Sequence, residues 1–383
     1  MQRRMFTRMV CAACVAAAAW FLIPAAATAA PSIAEVSENL DVGPASFGDK
    51  VKHEITVAYD AGVYHVADTA GVTASNGCVT VDSTHADCND VVSGVVPFGG
   101  AGNDVLVVQS LGPGDESGVH GFQGNDRLVG SPGVDWLVGY RGNDTVLGGA
   151  GADELLGGPA DVLPDEDTLD GGPGPDYISG DSSSGGIGHD TVLYSDRPAN
   201  EPIKVTLTVG FEGSDGVYDD GGSSDGTGDA VEYVENVVGG AGNDTITESV
   251  DSGIKDNIFR GGPGNDLLAG GDDSDQLFGE EGSDRLDGGR SADALTGGAG
   301  GDLVKGADGP DNLSGEAGGD RLLGGPKKDR LTGGPGSDFM KGEGQKDLIF
   351  ARDGTRDRRI DCGPGGRKEA AQRDRNDPQA ISC

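Results

Sequence analysis

Through the second half of the chain an apolar residue returns at every ninth position. The series runs from Leu268 through Leu277, Leu286 and Leu295 to Met340 and Ile349. Each member stands two places after an aspartate: Asp266, Asp275, Asp284, Asp293, Asp302, Asp311, Asp320, Asp329, Asp338 and Asp347. An x-U-x triplet, with U apolar, reads as a short strand that points U to one face and its neighbours to the other. Glycine-rich turns separate the triplets, as in GGPGNDLLA (261–269), GEEGSDRLD (279–287), GGAGGDLVK (297–305) and GGPGSDFMK (333–341). Ten such nonapeptides run from Gly261 to Phe350 without an insertion. A shorter run over 121–156 carries Asp126, Asp135, Asp144 and Asp153. Single copies at 99–107, 171–179, 185–193 and 239–247 carry Asp104, Asp176, Asp190 and Asp244.

Stacked triplets would bury a ladder of single Leu, Ile or Val side chains. One buried aliphatic residue in nine does not offset the entropy of ordering the other eight, glycine least of all. The aspartates make matters worse. In a stack they stand about 4.8 Å apart, where like charges repel by about 1 kcal/mol in water and several times that near a protein surface. A hard cation with oxygen ligands reverses that sign. Glycine lets the turn take positive φ and aim carbonyls inward. Ca²⁺ suits such a flexible all-oxygen site better than Mg²⁺, and zinc lacks its Cys or His set.

The pattern G-G-x-G-x-D-x-U-x resembles the RTX family, named for repeats in toxins. The resemblance covers about half of the chain beyond the leader described below. It implies a parallel β-roll with two nonapeptides per coil and Ca²⁺ between the turns of successive coils. The ligands it implies are turn carbonyls and the sixth-position aspartates Asp104, Asp126, Asp135, Asp144, Asp153, Asp176, Asp190, Asp244, Asp266, Asp284, Asp302, Asp320 and Asp338. The fold class expected is therefore all-β: a solenoid with a small N-terminal β domain (30–98), two roll blocks (99–193 and 239–350), an insertion (194–238) and a C-terminal cap (351–383). In the long run, alternate turns go to opposite edges. Those starting at 261, 279, 297, 315 and 333 keep glycine at position four. Those at 270, 288, 324 and 342 replace it with Asp273, Ser291, Lys327 and Gln345, and only the 306 turn keeps Gly309. The first edge is expected to bind calcium much better. On the second, Arg290, Lys327, Lys328 and Lys346 are expected to neutralise the neighbouring aspartates in place of metal.

Composition narrows the classes. Hydrophobic residues make up 35% and aromatics 5%, 70 residues are glycine, and the net charge is −36. This balance repels nucleic acid and anionic membranes and attracts cations. Composition alone would equally suit a disordered acidic chain; the phase of the aspartates argues otherwise. Arg3, Arg4 and Arg8, the apolar stretch Met9–Pro24 and Ala27-Thr28-Ala29 read as a secretory signal (1–29) cut after Ala29, with an uncleaved anchor as the alternative. The exported chain would keep 25 basic and 64 acidic side chains, a charge of −39. With no second hydrophobic span or sorting signal in view, it is expected to be released, without membrane insertion, its cell-surface or protein partner unnamed. Four cysteines remain for an oxidising compartment. Among three possible connectivities the local ones, Cys78 with Cys88 and Cys362 with Cys383, are favoured. The whole arrangement resembles, more loosely, secreted actinobacterial proteins with disulfide-bearing N-terminal segments.

The remaining segments carry less. Val51–Tyr59 and Val63–Ala67 flank Asp60-Ala61-Gly62, a hairpin signal. Lys204–Val209 and Val231–Val238 read as strands around a Gly/Asp/Ser loop, 213–229, which is either solvated or an extra ion site. Asn143 and Asn243 begin glycosylation sequons but are motif positions, and no sugar is expected. An enzyme is the second hypothesis. However, His53, His65, His85, His120 and His189 are scattered, and Gly222-Ser223-Ser224-Asp225-Gly226 lacks the strand and helix of a nucleophile elbow. An adhesive or surface-layer role is the third.

Overall fold

The computed structural model describes residues 32–36, 40–44, 51–61, 63–70, 72–74, 78–81, 83–89, 94–111, 115–158, 165–181, 189–207, 229–248, 256–351, 353–363 and 371–373. Every element among them is a β-strand. The triplets form two parallel stacks that face each other across one layer of apolar side chains. One stack is continuous. Its inward residues run rung to rung from Leu106 through Leu128, Val146, Leu169, Val192, Val237, Phe259 and Leu277 to Ile349. None of these is measurably exposed. In the long run the register is 18 residues, as in Leu277 opposite Leu295 and Leu295 opposite Leu313. Two nonapeptides therefore make one coil, as the resemblance implies.

The opposite stack is interrupted. One sheet ends on Tyr177–Asp181 followed by Ala230–Glu232, and the next opens with Lys204–Leu207 followed by Thr245–Glu248. The chain thus runs one coil ahead, lays down Lys204–Leu207, and returns to fill the coil behind. The expected strand Val231–Val238 is divided into Ala230–Glu232 and Asn236–Val238 by a corner at Tyr233, whose φ is 54°. The reason is the width of the coil. A side holds only a triplet, so Val231 and Val237 point inward from opposite stacks.

At the N-terminal end, Glu54–Asp60 and Val63–Asp68 form the expected hairpin around Ala61, and Glu54–Asp60 pairs in parallel with Val105–Val108. Its Ile55, Val57, Tyr64 and Val66 join the same core as the roll. Cys78–Thr80 lies antiparallel to His85–Asn89 with Cys78 opposite Cys88. At the other end the tail adds strands to both stacks. Arg359–Asp361 pairs with Phe339–Glu343, and Ala371–Arg373 with Leu348–Ala351, so Ile360 covers Met340. The leader 1–29, the loop from Gly213 to Gly228, the serine motif at 222–226 and Cys383 lie outside the described residues.

Candidate metal centre

Each aspartate closes a turn and opens a strand, and its carboxylate folds inward rather than out to solvent. Oδ1 accepts the backbone N–H of the aspartate one coil earlier. Asp266 donates in this way to Asp284 at 2.8 Å, and Asp284 to Asp302, Asp302 to Asp320 and Asp320 to Asp338 at 2.9 Å. The second edge repeats the arrangement from Asp275 through Asp293, Asp311 and Asp329 to Asp347 at 3.0 Å. In the first block Asp104, Asp126 and Asp144 are linked alike on one edge, and Asp135, Asp153 and Asp176 on the other.

The second oxygen, Oδ2, is the chemically open one. It is buried and meets no donor in Asp104, Asp126, Asp144 and Asp153, nor in any of the ten long-run aspartates. It points back over the first glycine of its own turn. A Cβ at Gly261 would lie 2.2 Å from Oδ2 of Asp266, and one at Gly279 would lie 2.4 Å both from Oδ2 of Asp284 and from the carbonyl oxygen of Gly297 one coil on. Glycine at position one therefore leaves a cradle bounded by carboxylate and carbonyl oxygens. An unpartnered carboxylate oxygen out of water is costly, and a row of them calls for cations. Among the described residues no three His, Cys, Asp or Glu side chains converge, so backbone carbonyls must complete any ligand set. Such a donor set suits Ca²⁺.

Burial is the main reason these carboxyls rise above their ordinary value of 3.8, and neighbouring aspartates add to it. Asp126, Asp266 and Asp275 reach about 7, and Asp144 about 9. Without metal, the folded state thus holds protons more tightly than the unfolded chain. That contribution to stability is complete below the unfolded value and is lost as pH rises through about 6–7. In metal-stripped buffer the β signal is expected to be larger and to melt higher near pH 5.5 than near pH 8, while calcium binding weakens toward acid. Circular dichroism melts at the two pH values check both; the reverse order would contradict carboxyl burial as the cause.

The two edges differ in their turns. On the first, parallel pairing continues through position four, Gly282 to Gly300 to Gly318, with φ values of 147°, 153° and 148°. A bridge then links Gly318 to Gly336. On the second, pairing stops at position two or three, as in Gly289 opposite Ala307 and Arg290 opposite Asp308. The cause is contact more than φ. Gly264 and Gly336 lie outside the left-handed region, yet a Cβ there would sit 1.6 and 1.3 Å from a carbonyl oxygen of the preceding coil. Left-handed φ belongs to position two in all ten turns, including the non-glycines Glu280, Ala307, Glu316 and Glu343.

Three expectations are revised. Asp135 and Asp244 have no open oxygen: Ser131 N–H and Oγ close Oδ2 of Asp135 at 2.6 and 3.0 Å, and Gly240 N–H closes that of Asp244 at 2.8 Å. The second-edge cations do not neutralise the ladder. Arg290 pairs with Asp272 at the surface at 2.7 Å, and Lys327, Lys328 and Lys346 make no ion pair among the described residues. Their positions on the turn face outward while the carboxylates face in. Finally, the ladder has rungs that the period concealed. Asp167 bonds Asp144 and Asp190, Asp229 bonds Asp176, and Asp357 bonds Asp338. Asp190 passes its N–H to Glu235, and the second edge continues at Asn257, whose N–H meets Asp275. Position five adds an outer row, with Asn243 accepting from Asn265 N–H and Asn265 from Ser283 N–H.

Two buried carboxylate ladders on a parallel β-solenoid define a cation-binding repeat protein. The profile of the RTX calcium-binding nonapeptide repeat matches residues 120–155, 164–192, 230–247, 251–286, 260–295, 296–327 and 323–355. The repeat region of this chain belongs to that calcium-binding family, which implies Ca²⁺ as its cation. No curated protein matches the chain.

Proposed function

We propose that the chain is exported, cut after Ala29, and folds on Ca²⁺ into a rigid roll that serves outside the cell as a structural, adhesive or interaction module. The observation that carries this reading is the row of buried, unpartnered Oδ2 atoms. In the long run the calcium ligands are Asp266, Asp284, Asp302, Asp320 and Asp338 on the edge whose turns stack regularly, which leaves four gaps between turns and about four ions. The opposite placement of Cys78 and Cys88 supports one disulfide, and the burial of Cys362 in the final coil supports a second, to Cys383. No catalytic step belongs to this reading.

Native mass spectrometry of secreted protein after thiol alkylation tests the three parts together. The expected spectrum is a chain beginning at Ala30, no alkylated cysteine, and a series of calcium adducts that chelator removes. Retention of Met1–Ala29, two alkylated thiols, or the absence of calcium adducts would each refute the corresponding part.

A further inference from the structure

One cation does reach into a turn, and it comes from the insertion. We propose that Arg197 is a resident cation that takes the place of Ca²⁺ at the seam between the two blocks, so that this coil holds together without metal. The inference rests on the calcium reading above.

The turn 194–203 stacks between the glycine-rich turns 171–176 and 239–244. Ala241 N–H donates to the carbonyl of Arg197 at 3.0 Å. A Cβ at Gly240 would lie 2.8 Å from Cβ of Arg197, and one at Gly242 would lie 2.7 Å from Cα of Pro202. The segment therefore fills the place of a nonapeptide turn, but it has no glycine and its rung is Ile203, not aspartate. From it the Arg197 guanidinium reaches back one coil. Nη2 donates to the carbonyl oxygen of Gly172 and stands 3.9 Å from Oδ2 of Asp229, the rung after Asp176. Arg197 is 14% exposed and Asp229 not at all. The ring of Tyr194 lies 6.0 Å from the guanidinium carbon.

A turn carbonyl of one coil and the ladder carboxylate of the next are the donor types that an ion between coils would use. Here a tethered, permanently charged and weakly hydrated group meets both. On the far side of the same turn, Asp244 is closed by Gly240 N–H and Ile203 N–H. The site also falls where one of the two stacks is interrupted. Among the described residues, Ala230–Glu232 and Lys204–Leu207 belong to different sheets, with no ladder between them. A cation that needs no binding equilibrium holds this junction at any calcium concentration.

Hydrogen exchange on the full chain, with and without chelator, compares wild type with Arg197→Lys and Arg197→Met. In chelator, wild-type segments 171–181 and 229–238 are expected to exchange about tenfold or more slowly than 261–350. Lysine keeps that protection because it keeps the charge. Methionine, of similar reach but neutral, loses it and regains it on adding Ca²⁺, with about one ion more per chain by native mass spectrometry. The proposal is overturned if methionine matches wild type in chelator, or if the wild-type seam exchanges as fast as the long block. It also falls if neither variant recovers in saturating Ca²⁺, which would make Arg197 a packing residue. The response of 261–350 to calcium in the same spectra reports separately on the calcium reading, and its failure would sink that reading first.

Discussion

Chelating calcium is expected to abolish most of the β signal of the repeat region and to expand the chain. The solenoid buries one aliphatic side chain per triplet, and ten carboxylates in the long run stand in two rows with an open oxygen each. At neutral pH those rows are a source of repulsion and of desolvation cost, which no other part of a −36 chain offsets. Binding free energy is then folding free energy. Adding Ca²⁺ at micromolar to millimolar levels, the order expected for such sites, should restore the β signal and contract the hydrodynamic radius together. Mg²⁺ should substitute poorly, because it demands near-ideal octahedral geometry and dehydrates reluctantly. Far-ultraviolet circular dichroism and light scattering on the same titration provide the check. An unchanged spectrum and radius in chelator would mean that folding is not linked to calcium.

Asp302→Asn should weaken calcium-dependent folding far more than Asp293→Asn. Both side chains accept a ladder N–H through Oδ1 and hold an open Oδ2, so hydrogen bonding alone does not separate them. Their turns do. Asp302 ends a turn stacked through Gly300, where a Cβ would lie 1.4 Å from the carbonyl of Gly282. Asp293 ends a turn with Ser291 in that place; on the same edge Asp273 fills it one coil before, and Lys327 two coils after, with Gly309 between. Side chains there prevent the carbonyls of successive coils from closing on one ion. Asparagine keeps the Oδ1 acceptor and removes the charge, so it tests the metal and not the ladder. The calcium midpoint is expected to rise about tenfold or more for Asp302→Asn, roughly 1.4 kcal/mol, and by less than about twofold for Asp293→Asn. Equal shifts, or equal metal occupancy on both edges in a crystal, would refute the asymmetry.

Much of this was legible because the fold repeats. Once two nonapeptides make a coil, every residue of the long run meets its counterpart 18 positions away. A local pattern therefore encodes a tertiary contact. That is why Leu268, Leu277 and their successors could be placed inward, and Asp266 through Asp347 along two edges, from the order of residues alone. The triplet was a better guide than the period. Asp167-Thr168-Leu169 and Asp229-Ala230-Val231 both carry the D-x-U signature, yet they fall out of phase with their neighbours, so the nine-residue period does not reach them. Asp357 stands one residue too far from Ile360 to match it at all.

Wherever the phase breaks, the neighbours of a residue depend on where the chain returns, and only the tertiary structure decided that. No pattern in 194–238 shows that Lys204–Leu207 stacks ahead of Ala230–Glu232, so none could place Arg197 against Gly172 and Asp229. Asp135 and Asp244 sit in regular motifs, but their open oxygens are closed by the N–H groups of Ser131 and Gly240, a matter of ångströms in turns that read like the rest. The basic residues of the second edge had the right charge in the right turns and still point outward, because a turn has an inside only once its coil is closed. Periodicity determined the lattice of this protein; the direction of each polar group at its irregular points was set by packing.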